Sequence, residues 1–231
     1  MKLNELLKQA EIKKNFEPTK LKWTDDFFGS VEKTNEVIDF YLKTEKDLKK
    51  EALIDAFRLV LLYSKRQMKD ISALEFYYMY EICSGTKTFE DILKTPNLWD
   101  VKDTSLVPSI YRTSQTFIFD TDTKASDAQE ISHFMEHFLS QMNYSKNWMH
   151  EIEFAAMSHK RIIDIQPFEK YNEVMSFLFL NRLLVTCGYP MISLLGDTYE
   201  NYKSAYFKTR TMTNPDIDSF TKIIAKAVLE R

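Results

Sequence analysis

Glycine is scarce in this chain, with four among 231 residues, where average usage near 7% would give roughly sixteen. Gly-rich phosphate loops and tight β-meanders therefore have almost no raw material. Proline is also sparse, at six. With both breakers rare, helix is the expected state. There are two cysteines, Cys83 and Cys187, far apart in sequence and in no CxxC pair. That excludes a disulfide framework and fits a reducing compartment. No run of 18 apolar residues occurs, so no membrane span is expected. The first residues, MKLNELLKQAEIKKN, are charged throughout and lack the apolar stretch of a signal peptide. The expected location is the cytoplasm, and delivery into a host cell as an effector stays open. Excess positive charge is missing too: 31 − 34 gives −3. Bulk electrostatic binding to nucleic acid is not expected.

What is present is a globular balance of 44% hydrophobic and 28% charged residues. Helix signals are frequent. Leu53, Ile54, Phe57, Val60 and Leu61 recur at helical spacing within 48–66. Ser72 with Glu75 reads as a capping box before an aromatic helix that stops at Gly85. Ser126 with Gln129 opens another helix, and Ser145 caps the next. Asp197 with Glu200 opens a further one. Asn214, Pro215 and Asp216 start the last, with proline at the first helical position. The Lys-rich stretch 43–50, alternating with acids, reads as solvated helix. One stretch reads as strand, Tyr111 to Phe119 (YRTSQTFIF), followed by the turn-like DTDTKASD. The expected fold class is all-α with one β-hairpin flap.

At the centre, an amphipathic helix runs to about Ile163 and Pro167 breaks it. A second helix runs from Tyr171 or Asn172 to Cys187, with Gly188 as its stop. This second helix is apolar nearly all round, as a central post would be. A tight loop at a helix N-terminus is a place for anions. The sequence QPFEKYNEVMSF (166–177), with Gly188-Tyr189-Pro190 beyond it, resembles the core of the Fic (Fido) domain family. That family carries HPFx(D/E)GNGRxxR between two helices. The likeness covers roughly residues 30–210. It implies a single domain over 1–231, with an N-terminal helical extension (1–45), a core (46–210) and a C-terminal helix (211–231). It also makes Tyr111-Arg112 and the following strand a flap that holds a target peptide, through Arg112, Thr113, Gln115 and Thr116.

The resemblance carries AMP transfer to a protein hydroxyl, and this chain departs from the motif at each chemical position. Gln166 stands for the histidine base, and an amide has no usable pKa. Lys170 stands for the Mg²⁺-holding acid, and a lysine cannot ligate a hard cation. Glu169 is one position off and is expected to point elsewhere. Tyr171 and Glu173 stand for two glycines, Val174 and Phe177 for two phosphate-gripping arginines. Tyr171 is expected to fill the space a ligand would need, and Glu173 to satisfy the helix dipole and repel phosphate. Phe168, Lys170 and Asn172 are the remaining candidates for ligand contact. His159 and Glu173 are the candidates for a substitute base. No strict match to the family's inhibitory Ser/Thr-xxx-Glu-Gly/Asn pattern occurs. A missing base alone costs about 10² to 10⁴ in rate.

The expected function is therefore a degenerate Fic-fold protein that binds a protein partner or ligand. No cofactor, metal, membrane or nucleic acid is expected. The alternative is a Fic-type transferase of altered chemistry using a phosphate-linked donor, the one case that would require a nucleotide with Mg²⁺. His133, Glu136 and His137 spell HxxEH, a zinc pattern. Both histidines fall opposite the apolar stripe of Ile131, Phe134, Met135, Phe138 and Met142, so they read as solvated.

Overall fold

In the computed structural model, residues 1–14, 26–65, 71–95 and 107–231 are described. The helices among them are α1 (Leu3–Ala10), α2 (Val31–Thr44), α3 (Lys50–Ser64), α4 (Ala73–Cys83), α5 (Phe89–Leu93), α6 (Ile131–Ser145), α7 (Glu151–Ile165), α8 (Asn172–Thr186), α9 (Asp197–Lys208) and α10 (Ile217–Leu229). The expected all-α class holds, with no β-sheet among the described residues. No helix of these is long and apolar enough to cross a membrane.

α8 is the post. Every residue from Val174 to Val185 is buried, because no polar stripe exists on which solvent could sit. α7 and α3 pack along it and α4 crosses it. One ion pair lies wholly inside: Arg182 of α8 meets Glu75 of α4 at 2.8 Å and 3.2 Å, and both side chains are at most 1% exposed. The N- and C-terminal helices close the fold by packing α1 on α10. Within the 1–45 extension, residues 15–25 lie outside the described residues.

Several helix starts differ from the sequence reading. Ser72 is the N-cap of α4 but its side chain caps nothing, because Glu75 turns inward to Arg182 rather than back to the cap. Ser126 does not open α6. Its N–H and hydroxyl donate to the Asp164 carbonyl, and Asp127 caps a short 3-10 turn leading into the helix. Ser145 ends α6; His150 caps α7 through Nδ1, which accepts from Ile152 N–H at 3.2 Å. Asp216, not Asn214, caps α10. The Lys-rich stretch 43–50 is not a helix but chiefly the turn joining α2 to α3.

The strand expected over 111–119 is reduced to two isolated antiparallel bridges, Tyr111 with Phe168 and Phe117 with Lys124. The flap hairpin is thus real but too short to form a ladder. Its tip is tight: Thr121 N–H donates to the Ile118 carbonyl, and the two residues between, Phe119 and Asp120, have φ of 52° and 53°. Left-handed backbone at a phenylalanine costs about 1–2 kcal/mol. The Phe119 ring is held edge-on by Tyr202 and Tyr206, 5.8 and 5.2 Å between centroids. That packing fixes the tip against α9.

Candidate functional site

The loop between α7 and α8 keeps its shape by backbone strain and by side-chain staples. Gln166 ends α7 in the left-handed region (φ 43°), and Tyr171 precedes α8 there as well (φ 65°). Neither is glycine, so each costs energy that the surroundings must offset. Asn172 supplies one staple: its amide donates to the Phe168 carbonyl at 2.7 Å and its oxygen accepts from the Phe168 N–H at 3.0 Å. Glu169 supplies another, accepting from Thr113 N–H at 2.8 Å and from the Ser114 hydroxyl at 3.1 Å. These donors hold its carboxyl below the usual range. The third is Arg112. Its guanidinium donates to the carbonyls of Gln166 (2.6 Å), Ile165 (3.2 Å), Ser114 and Ser126, and its N–H to the Pro167 carbonyl at 2.9 Å.

This reassigns several residues expected to touch a ligand or target. Arg112 is buried and spent on carbonyls, so it ties flap to loop and does not face a target. Phe168 is fully buried, stacked on Tyr80 at 5.2 Å. Asn172 is spent on the loop backbone and also borders the cleft at the motif. Gln115 cross-links the flap, donating to the carbonyls of Thr116 and Ala125, and Thr113 serves Glu169. His159 is not a surrogate base. It is buried between a Ser176 carbonyl and the Tyr202 hydroxyl, 2.8 Å from each ring nitrogen, and burial lowers its pKa to about 4. It joins α7, α8 and α9 as a neutral ring. Tyr171 lies against Tyr80, 6.0 Å between centroids, and borders the cleft at the motif. His133 and His137 are exposed, and no cluster of three metal-ligating side chains exists among the described residues.

What remains at the motif is an open cleft of about 550 Å³, with Gln166, Lys170, Glu173 and Thr116 in its lining. Two groups the sequence did not reveal share it: Glu45, just after α2, and Tyr199 of α9. Glu173 accepts from the Tyr199 hydroxyl at 2.5 Å. Burial raises the Glu173 carboxyl and this hydrogen bond opposes the rise. Glu45 is pushed up to about 7, first by burial and then by the charge of Glu173, while the backbone of Tyr171 draws it down. Two carboxylates thus stand at the N-terminus of α8, where the dipole favours an anion. The rim is basic. Lys170 pairs with Asp47, and Lys203 pairs with Glu200 at 2.9 Å while lying 4.7 Å from the Tyr199 ring centre.

The positions that correspond to phosphate-gripping arginines are turned into the core. Val174 is fully buried, and Phe177 packs on Tyr41 at 5.0 Å and Phe28 at 6.1 Å. Chemically, the cleft offers two carboxylates at its floor, Glu45 and Glu173, and no arginine in its lining, with Lys43, Lys46, Lys170 and Lys203 as its cations. Glu45 gave no sequence signal, since it lies in a loop far along the chain from the motif.

Residues 88–184 match the sequence model of the Fic/DOC family. A protein adenylyltransferase Fic of Aedes aegypti is 31% identical over 98 residues, covering 42% of this chain and 19% of that protein. The chain thus spans about a fifth of the length of that curated relative. Among solved structures, Fic-1 of C. elegans superposes with a TM-score of 0.65 at 16% identity, covering 99% of this chain and 70% of that one. A Fic domain containing signaling protein of Bacteroides thetaiotaomicron gives 0.63 at 16% identity, covering 99% and 94%.

Proposed function

From the premise that this chain carries a Fic (Fido) domain, we propose that it has exchanged AMP transfer for binding, and that its motif cleft receives a neutral or basic group of a protein partner. The observation that carries this reading is the carboxylate pair Glu45 and Glu173 at the N-terminus of α8. A nucleotide phosphate entering there would meet two acids instead of free N–H groups. It would find no arginine, since Val174 and Phe177 belong to the core, and no acid at position 170 to hold a cation. Like-charge juxtaposition in a part-buried site costs several kcal/mol. An ammonium or guanidinium entering the same floor would offset the burial and like-charge repulsion that raise both carboxyls.

A second reading rests on one feature. A carboxyl raised to about 7, as Glu45 is, lies where a general base works best. In that reading the chain is a Fic-type transferase with Glu45 in place of the missing histidine, using a donor other than ATP.

A thermal-shift panel separates the two. The ligands are ATP, CTP, GTP, UTP and a nucleotide-linked choline, each with and without Mg²⁺. A ligand at 100 times its Kd adds about 2.7 kcal/mol, worth roughly 5–11 °C at about 2–4 °C per kcal/mol in a chain of this size. The binding reading expects no shift with any of them. A clear shift with one nucleotide overturns it, supports the transferase and names its donor.

A further inference from the structure

Away from the motif, α9 and α10 enclose a groove of about 520 Å³. It uses a different face of α9 from the one carrying Tyr199 and Lys203. Its floor is small, with Ala205 and Ala227 both buried, and Ile223 half-buried beside them. Three lysines stand round it: Lys208 at the end of α9, and Lys222 and Lys226 on α10. The last two are one helical turn apart and so present their ammonium groups side by side.

These lysines differ from those at the motif cleft in one respect. Lys170 and Lys203 are spent on Asp47 and Glu200. Lys208, Lys222 and Lys226 form no ion pair among the described residues. Glu230 is the one acid in the groove lining among the described residues, and Asp216 lies within electrostatic reach of Lys208 and Lys222, so three positive groups against two negative leave a local excess of +1 on a chain whose net charge is −3. Such an excess across a small-residue trough is complementary to an elongated, negatively charged occupant.

We propose that this groove docks an acidic amphipathic helix of a protein partner. The alanine floor lets a third helix approach to the close end of the usual 8–10 Å interaxial range. Ile223 offers a point of apolar contact. Acidic side chains at i and i+4 of the incoming helix meet Lys222 and Lys226, and one on its other edge meets Lys208. The occupant is a helix because Lys222 and Lys226, one turn apart on α10, match acids one turn apart on a facing helix, with Lys208 on α9 across from them. This surface is separate from the motif cleft and does not depend on what that cleft binds.

The test is fluorescence anisotropy on the full chain with two labelled 18-residue helical peptides. One carries Glu at i and i+4 beside an Ala/Leu stripe; the other has Gln at every Glu. The acidic peptide is expected to bind at 50 mM salt at least tenfold tighter than its Gln counterpart. It should lose most of that advantage at 500 mM, where screening is within a few ångströms. The double variant Lys222→Glu/Lys226→Glu should weaken it tenfold or more. Lys208→Glu, on the other wall, should weaken it severalfold and guards against a folding defect in the first variant. Equal binding of the two peptides, or undiminished binding by both variants, overturns the proposal. So does tighter binding of a 20-nucleotide single strand or of phosphatidylserine vesicles than of the acidic peptide, which would make the groove a phosphate surface.

Discussion

Replacing Glu45 by glutamine should stabilise this protein at pH 8 and do little at pH 5. The carboxyl titrates at about 7 in the folded chain against 4.5 ordinarily. Below about 4.5 it is protonated in both folded and unfolded chains, and it costs nothing. As pH rises through 7 the unfolded chain has already released this proton and the folded chain resists doing so. Stability falls over that window and the full deficit stands by pH 8. A difference of roughly 2.5 pH units at 1.36 kcal/mol each is about 3 kcal/mol. Glutamine removes the charge and keeps an oxygen to accept from Tyr171, so about 2–3 kcal/mol should be regained. That corresponds to a rise in Tm of roughly 4–12 °C. The assay is thermal or urea unfolding of both proteins at pH 5, 6.5 and 8. A gain that is the same at all three pH values, or a loss at pH 8, would refute the reasoning. It would mean that Glu45 is satisfied by Lys43 or Lys46 and that the cleft floor is not a strained acid pair.

Three further outcomes follow from the same geometry. Gln166→His alone should leave AMP transfer undetectable in a labelled-ATP assay, because position 170 is a lysine and positions 174 and 177 are core; robust self-labelling would show that reading to be wrong. Glu75→Gln should cost about 3–5 kcal/mol, since it strands the buried Arg182 guanidinium, whereas the double exchange Glu75→Leu/Arg182→Met should come within about 1 kcal/mol of the parent or exceed it; chemical denaturation of the four proteins of this cycle measures both. Arg112→Met should cost about 3 kcal/mol or more by leaving buried carbonyls without a donor, and amide hydrogen exchange over 113–125 should accelerate while that in α8 changes only with global stability.

The sequence made the frame legible where a pattern was local and periodic. The largely apolar run from Val174 to Leu184 pointed to an enclosed helix, and Pro167 with Gly188 bracketed it. The motif register placed Gln166, Lys170 and Glu173 at one cleft, and the structure brings them there. Contacts between distant segments were illegible. Ser72 with Glu75 is a sound cap signature, but a buried arginine on another helix outbids a backbone N–H for the same carboxylate. Arg112 looked like a contact to a target peptide and Asn172 like a ligand contact, because polar residues beside a motif usually are such contacts. Their partners are backbone carbonyls and amides, and no side-chain pattern announces those. Glu45 was read as one acid in a charged run, since only the fold carries it to Glu173.

The maintenance of the loop bears on whether the cleft is vestigial. Two non-glycine residues, Gln166 and Tyr171, hold left-handed backbone, and two more, Phe119 and Asp120, hold the flap tip over the same cleft. Each costs of order 1–3 kcal/mol and persists only where neighbours over-determine it. Here they do, through Asn172, Glu169 and Arg112, whose hydrogen bonds serve only the shape of the loop. The acid pair adds a further cost. A loop freed of function would be expected to relax: a turn of ordinary φ at 171, a neutral residue at 45 or 173, a flap not tied by a buried arginine. Strain, staples and a carboxylate pair together at one cleft are instead what a used site looks like, and they favour the proposed role of holding a group in place.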